Sequence, residues 1–133
     1  CLVYPWVTTS LENQPSLDSC SDVFPMTFET MEFFKNTVFP NDKNADHPWA
    51  NPLHQSDLKN LPPTVIATAG FDPVRDQGNQ FAEALKKEGV KVIDYCFDNL
   101  PHSFLIFGRI SRAAQKANNT IADNLAKILN KND

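Results

Sequence analysis

The segment spanning residues 64–97 constrains the fold more strongly than any other part of the sequence. Residues 64–69 (TVIATA) form a continuous apolar run, which is typical of a strand buried on both faces. Residues 74–88 then carry apolar side chains along one helical stripe, and residues 90–97 form a second strand-like run. A helix-bearing crossover of this kind joins parallel strands. The segment therefore predicts an α/β fold with a mostly parallel sheet.

The remaining elements fit around this unit. Residues 1–7 (CLVYPWV) are a third β-prone run, and residues 8–25 have the composition of a loop. Apolar side chains at helical spacing predict flanking helices over residues 28–39 and 111–130. Residues 40–63 are rich in proline and asparagine, and such long irregular segments usually border a functional region.

Composition narrows the classes of function. A formal net charge of −4 provides no basic patch, which argues against nucleic acid as a partner. No apolar run approaches the ~20 residues that a membrane-spanning helix needs, so the sequence predicts no membrane span. The 10 phenylalanines among 133 residues favour a substantial apolar core or pocket.

The cysteines indicate a compartment. An odd number, at positions Cys1, Cys20 and Cys96, favours reduced thiols and a cytoplasmic chain. Cys96 lies within a predicted strand, so a buried, inert thiol is favoured over a nucleophile there.

Two polar residues follow the predicted parallel strands. Asp72 comes just after the 64–69 strand, and His102 follows the 90–97 strand after a short loop. If the strands are neighbours, both side chains lie over one edge of the sheet, where sites form in open parallel sheets. Such an aspartate could orient the imidazole, although an aspartate before proline is also a common turn or capping residue.

Two neighbouring possibilities are weaker. Asp76 lies in the first turn of the predicted helix, where a carboxylate suits the helix dipole, with Arg75 as a surface ion-pair partner. Metal ligation can be imagined for a set of histidines and aspartates whose spacings match no zinc pattern: His47, His54 and His102 with Asp46 or Asp57. The sequence therefore predicts neither a metal nor a cofactor.

Longer motifs carry a family resemblance. "LPPTVIATAGFDPVRDQGNQFAEALKKEGVKV", followed by "PHSF", resembles the C-terminal half of α/β-hydrolase-fold esterases of the hormone-sensitive-lipase-like family. "LVYP" resembles the sixth strand of that family, and "MEFFKNTVFPNDKNADHPWANPL" resembles the helix and loop before the seventh. The resemblance implies a partial α/β-hydrolase fold, with residues 1–133 forming the C-terminal part of a single domain.

The same resemblance implies carboxylic ester hydrolysis by a Ser-His-Asp triad, without a cofactor, on a small-molecule ester. Asp72 and His102 match the family's acid and base, while Ser103 stands where the family usually has glycine. The family's G-x-S-x-G and HGGG-type motifs do not occur in these 133 residues. The nucleophile is therefore expected upstream of Cys1, and the chain alone is expected to be inactive. The alternative is a ligand-binding, non-catalytic member of the same fold.

Two further expectations complete the prediction. Residues 8–63 include a helix and a long loop expected to border the substrate pocket. The candidate pocket residues are apolar side chains that flank the presumed site: Trp6, Trp49, Leu53, Val74 and Phe104. Because the 1–7 strand would expose an unpaired edge, the chain is also expected to self-associate or to exchange strands.

Overall fold

A computed structural model describes residues 1–11 and 13–130 of the chain. Three parallel strands form one sheet in the order β1-β2-β3, and helices flank it. The strands are β1 (Leu2–Val3), β2 (Thr64–Phe71) and β3 (Val92–Pro101), and the helices are α1 (Pro15–Ser19), α2 (Phe28–Val38), α3 (Arg75–Lys87) and α4 (Arg112–Leu129). The predicted α/β class with a parallel sheet is confirmed.

The central strand β2 explains the continuous apolar run. Ile66 packs on one side of the sheet with Phe81 and Leu85 of α3. Ala67 and Ala69 pack on the other side, where Phe104 and buried residues of α4 complete a second cluster. Both faces of β2 are therefore covered mainly by apolar side chains, and the buried hydroxyl of Thr68 donates a hydrogen bond to Asn79 Oδ1 at 2.8 Å.

The first strand is much shorter than the sequence predicts. Of residues 1–7, the structure assigns only Leu2–Val3 to β1, paired with Ile66 and Ala67 of β2. Tyr4 has a φ of 40°, and Pro5 follows it, so the backbone turns away from the strand direction at this point. The prediction of a strand over residues 1–7 was therefore wrong in its length, because the ladder with β2 stops at Val3, ahead of the proline in this run.

The other two strands extend further along the chain than predicted. β2 continues to Phe71 and β3 to Pro101, with an irregularity in register between Ala69 and Phe71. Gly70 lies at this irregularity, where an added Cβ would overlap the backbone of Asp98. A glycine is required here because the two strands approach too closely for any side chain.

The segment between β1 and β2 contains more helix than the sequence predicts. Residues 8–25, interpreted as a loop, include the short helix α1. Helix α2 begins as predicted, with the Thr27 hydroxyl accepting a hydrogen bond from the Thr30 N–H at 3.1 Å. Beyond it, the proline-rich segment forms single turns of 3₁₀ helix that each begin at a proline: Pro40–Asp42, Pro48–Ala50 and Pro52–His54.

One buried amide organises this proline-rich segment. Asn51 accepts hydrogen bonds on Oδ1 from the Thr8 hydroxyl at 3.0 Å and from the Thr9 N–H at 2.8 Å. Its Nδ2 donates to the backbone carbonyl of Ala45. The segment before β2 is thereby attached to the chain that leaves β1.

The prediction that Cys96 is buried was wrong. Cys96 is exposed, as are Asp94 and Asp98 on the same face of β3, while Tyr95 and Phe97 on the other face are half-buried. In the described part of the chain β3 lies at an edge of the sheet, and this face of the strand is incompletely covered. Desolvation of the thiol nevertheless raises the pKa of Cys96, which disfavours the reactive thiolate at neutral pH.

None of the helices within residues 1–11 and 13–130 combines the length and the apolar character that crossing a bilayer requires.

Replacing Gly70 by alanine should destabilise the fold. The new methyl group would meet the Asp98 backbone, which cannot move without disturbing β3, so we expect a loss of about 1–3 kcal/mol in the free energy of unfolding. Urea denaturation followed by circular dichroism measures this loss. The matched control is Gly108→Ala, whose methyl group would closely approach the amide end of the flexible Asn118 side chain and would lie at an ordinary contact distance, 3.9 Å, from the Gln115 backbone. Equal stability of the two variants would contradict the prediction.

Candidate active site

The structure brings Asp72 and His102 together at the carboxyl ends of two neighbouring strands. Asp72 directly follows β2, and His102 directly follows β3. His102 Nδ1 lies 2.8 Å from Asp72 Oδ2, which is a hydrogen-bonding distance. Parallel strands end at the same edge of a sheet, so residues 30 positions apart in the sequence come into contact.

Asp72 also holds the turn that starts α3. Its Oδ1 accepts a hydrogen bond from the Val74 N–H at 2.9 Å, and its backbone carbonyl accepts one from the Arg75 N–H at 3.1 Å. The side chain has 0% exposure, and each of its oxygens has a partner. The sequence offered a turn-forming role and a histidine contact as alternatives for Asp72. In the structure its carboxylate does both.

The loop that carries His102 is fixed from both sides. The His102 N–H donates to the Phe71 carbonyl at 3.3 Å, which links the loop to the end of β2. Ser103 has φ 62° and ψ 20°, the left-handed conformation that favours glycine. Phe104 then begins a 3₁₀ turn and has 0% exposure in the core beneath the loop.

Tyr4 is a neighbour of His102 that sequence reasoning missed. Its ring centroid lies 4.6 Å from that of His102, with an angle of 53° between the planes. Burial, and secondarily the negative charge of Asp72, raises the pKa of the Tyr4 phenol. The signal available in the sequence was an aromatic residue at the carboxyl end of the first strand, which belongs to the same sheet edge as Asp72 and His102.

Asp76 has a different role from Asp72. It lies in the first turn of α3, as predicted. Its Oδ2 accepts from the Ser16 N–H at 2.7 Å, and its Oδ1 accepts from Arg75 Nε at 2.9 Å. The ion pair with Arg75 is present but is largely buried, and the contact with Ser16 attaches α1 to the start of α3. Both carboxylate oxygens of Asp76 are therefore engaged in structural contacts.

The five candidate pocket residues separate into two groups. Val74 and Phe104 are buried in apolar clusters, and Leu53 packs against the core between β2 and α3. Trp6 and Trp49 instead line an open apolar groove of about 400 Å³. The groove is completed mainly by side chains of α2 and the proline-rich segment: Phe34, Val38, Phe39 and Pro52. Trp49 is 91% exposed and touches the ring of His47.

The histidines considered as metal ligands have separate partners. His47 Nδ1 accepts a hydrogen bond from the Trp49 N–H at 3.2 Å, whereas His54 Nε2 lies 3.0 Å from the Thr8 hydroxyl. His102 contacts Asp72. Within residues 1–11 and 13–130, no group of three or more histidine, cysteine, aspartate or glutamate side chains has an arrangement that could hold a metal ion.

Comparisons with known proteins extend these observations. The family model described as the alpha/beta hydrolase fold matches residues 1–106. Carboxylic ester hydrolase LipN of Mycobacterium tuberculosis is 33% identical over 106 residues, which represent 78% of this chain and 28% of that protein. Hormone-sensitive lipase of Ictidomys tridecemlineatus is 32% identical over 85 residues, which represent 62% of this chain and 11% of that protein.

Solved structures agree with the sequence relatives. The esterase of Pyrobaculum calidifontis superimposes with a TM-score of 0.88 at 29% identity, covering 96% of this chain and 42% of that one. The chain thus spans less than half the length of these relatives. The resemblance read from the sequence motifs is confirmed: this chain belongs to the α/β-hydrolase fold family and is related to its esterases and to hormone-sensitive lipase.

Proposed function

We propose that the protein containing this chain hydrolyses carboxylic esters through a Ser-His-Asp triad, and that this chain supplies the aspartate and the histidine. The observation that carries the proposal is the 2.8 Å contact between His102 Nδ1 and the buried Asp72 Oδ2. The esterases among its relatives support the reaction class. The nucleophilic serine and the oxyanion-hole donors belong to a part of the protein that precedes Cys1.

In this mechanism His102 moves the protons. Asp72 accepts a hydrogen bond from the Nδ1–H of the imidazole, which leaves Nε2 free to take the proton of the serine hydroxyl. The serine oxygen attacks the ester carbonyl, and the imidazolium then gives its proton to the departing alcohol, leaving an acyl-enzyme. In the second half, His102 takes a proton from water while the water oxygen attacks the acyl carbon. The imidazolium then returns that proton to the serine oxygen as its bond to the acyl group breaks, which releases the carboxylic acid and regenerates the serine.

The environment of Asp72 suits this role. Its carboxylate is removed from water and faces the imidazole, so its charge acts on the imidazolium in a medium that screens it weakly. The N–H of Val74 fixes the other oxygen and thus the orientation of the carboxylate. Asp76 is a poor candidate for the same role, because its two oxygens are occupied by Ser16 and Arg75.

The substrate is proposed to be a small ester with a short acyl chain. Trp6 and Trp49 contribute to an apolar surface of the kind that binds acyl or alcohol groups, and residues 8–63 supply most of its other lining residues. Val74 supports this region, because Trp6 packs against its cluster, whereas Leu53 and Phe104 belong to two other clusters of the core. Residues 1–133 act as one part of a single hydrolase domain.

The catalytic assignment predicts different effects for the two aspartates of "FDPVRD". In the full-length protein, Asp72→Asn should lower kcat for p-nitrophenyl ester hydrolysis by about 10⁴-fold, because the amide favours the wrong imidazole tautomer. Asp76→Asn should keep kcat within about threefold while lowering stability, since one charge-assisted contact is worth about 1.5–3 kcal/mol. The 133-residue chain by itself should show no hydrolysis above the buffer rate.

Three outcomes would contradict the assignment. Unchanged kcat in Asp72→Asn would remove the proposed acid, and a large loss of kcat in a folded Asp76→Asn would point to the wrong carboxylate. A folded full-length protein without any esterase activity would favour the non-catalytic, ligand-binding alternative.

Ser103→Gly should stabilise the loop that carries His102. The left-handed conformation costs a residue with a side chain about 1–2 kcal/mol in the folded state, and glycine removes this cost. Glycine also gives the unfolded chain more conformational freedom, which offsets part of the gain. The net gain should be about 0.5–1 kcal/mol in the free energy of unfolding. Ser111→Gly is the control, because Ser111 has an extended φ of −123°. A gain of equal size in Ser111→Gly, or a loss in Ser103→Gly, would contradict the argument.

We also propose that the protein is cytoplasmic and that the 133-residue chain, when isolated, self-associates. Its cysteines are free thiols in the described residues, and β1 pairs on one side only within that part of the chain. An unpaired strand edge is a template for another chain. Size-exclusion chromatography of the chain under reducing conditions, which exclude disulfides through the exposed Cys1 and Cys96, should show a dimer or larger species. A well-folded monomer at micromolar concentration would contradict this prediction.

A further inference from the structure

We propose that Tyr4 is a positioning residue for His102: its ring packs against the imidazole and holds it in the orientation that points Nδ1 at Asp72. The inference rests on the proposed esterase function and adds a fourth residue to its machinery. Tyr4 acts through His102 and is given no role in proton transfer.

The ring of Tyr4 packs directly against the imidazole of His102. The two ring centroids are 4.6 Å apart at a tilt of 53°, so the tyrosine ring restricts rotation of the histidine about its side-chain bonds. The His102 side chain is only 12% exposed. With Asp72 hydrogen-bonded to Nδ1 and Tyr4 packed against the ring, the imidazole is constrained by both a polar and an apolar contact.

Tyr4 is in turn held by aromatic residues of the core. Its ring makes an edge-to-face contact with Phe104 at 5.4 Å, and Phe104 makes another with Phe97 of β3 at 5.3 Å. Phe97 stacks on Tyr95, with centroids 5.8 Å apart. Edge-to-face and offset pairs of this kind stabilise beyond their buried area. The ring against His102 is therefore held directly by Phe104 and, through it, by Phe97, whereas Tyr95 contacts only Phe97 within this series.

The backbone of Tyr4 indicates that its placement is maintained against a cost. Its φ of 40° is uncommon for a residue with a bulky side chain. A hydrogen bond from the Tyr4 N–H to the Ala67 carbonyl, 2.6 Å long, keeps this residue at the carboxyl end of β1. Strained residues of this kind concentrate at functional sites, because surrounding contacts must enforce them.

The chemistry of the ring fits a passive role. The phenol pKa is raised by burial and then by the charge of Asp72, so the ring is neutral at the pH of catalysis. A neutral ring adds no charge that would compete with Asp72 for the imidazolium. Because the ring packs on an imidazole whose side chain is 12% exposed, we expect its bulk to limit the access of water to the Asp72–His102 hydrogen bond.

The first test observes the hydrogen bond directly. In the full-length protein labelled with ¹⁵N-histidine, the proton on His102 Nδ1 should give a low-field NMR signal, assigned by its loss in His102→Gln. Tyr4→Leu should broaden this signal through faster exchange with water, while Tyr4→Phe should retain it because the ring is kept. Tyr4→Met fills the volume without a flat ring and should broaden the signal in the same way. It replaces Tyr4→Leu as the test variant if Tyr4→Leu folds poorly.

The matched control is Tyr95→Leu, which removes an equivalent ring from the far end of the aromatic series. It should keep the low-field signal. A sharp signal in folded Tyr4→Leu and Tyr4→Met would overturn the inference, as would equal broadening in Tyr95→Leu, which would mean a general loosening of the core.

The second test measures the reaction. Misplacement of the imidazole should reduce kcat for p-nitrophenyl ester hydrolysis by about tenfold to a hundredfold in Tyr4→Leu, with KM changed by less than about threefold. Tyr4→Phe should keep both constants within about threefold of the unmodified protein. An effect on KM alone, or an equal loss of kcat in Tyr4→Phe, would reject a positioning role. If the unmodified protein hydrolyses no ester, the proposed function fails, while the NMR result still decides whether Tyr4 positions His102.

Discussion

The parallel pairing of β2 with β3 is the constraint on which the site depends. Each strand ends in a residue that can carry chemistry, and the pairing brings those ends to one edge of the sheet. The close approach at Gly70 is part of this arrangement, because the strands come together there just before Asp72. Any change that separated the strands would separate Asp72 from His102, although neither residue would be altered.

Asp72 and Asp76 have identical side chains but different partners, and the partners determine what each carboxylate can do. They are four positions apart, yet Asp72 faces the imidazole at the sheet edge while Asp76 is held by Ser16 and Arg75. The carboxylate of Asp72 lies within hydrogen-bonding distance of His102, the proposed general base. That of Asp76 attaches α1 to the start of α3, and so supports the turn in which Asp72 lies.

The segment before β2 shows how an irregular stretch becomes ordered. Its prolines start single helical turns, and the amide of Asn51 replaces the backbone ladder that a strand or helix would supply. Order of this type leaves Trp49 outside the core, where it borders an open groove together with Val38 of α2. The proposed binding surface therefore combines side chains of the irregular segment with side chains of α2 and with Trp6.

The sequence by itself determined the α/β class, the central strand, the boundaries of α3 and α4 within two residues, and the candidate pair Asp72 and His102. The class and the elements follow from periodicity and from local residue preferences, which act over short stretches of chain, whereas the candidate pair follows from the ends of the predicted parallel strands and from the family resemblance. The tertiary structure alone decided that β1 ends at Val3, that Cys96 is exposed and that Tyr4 packs on His102. Each of these depends on which distant segments cover a residue or turn the backbone, and such contacts leave no periodic trace in the sequence.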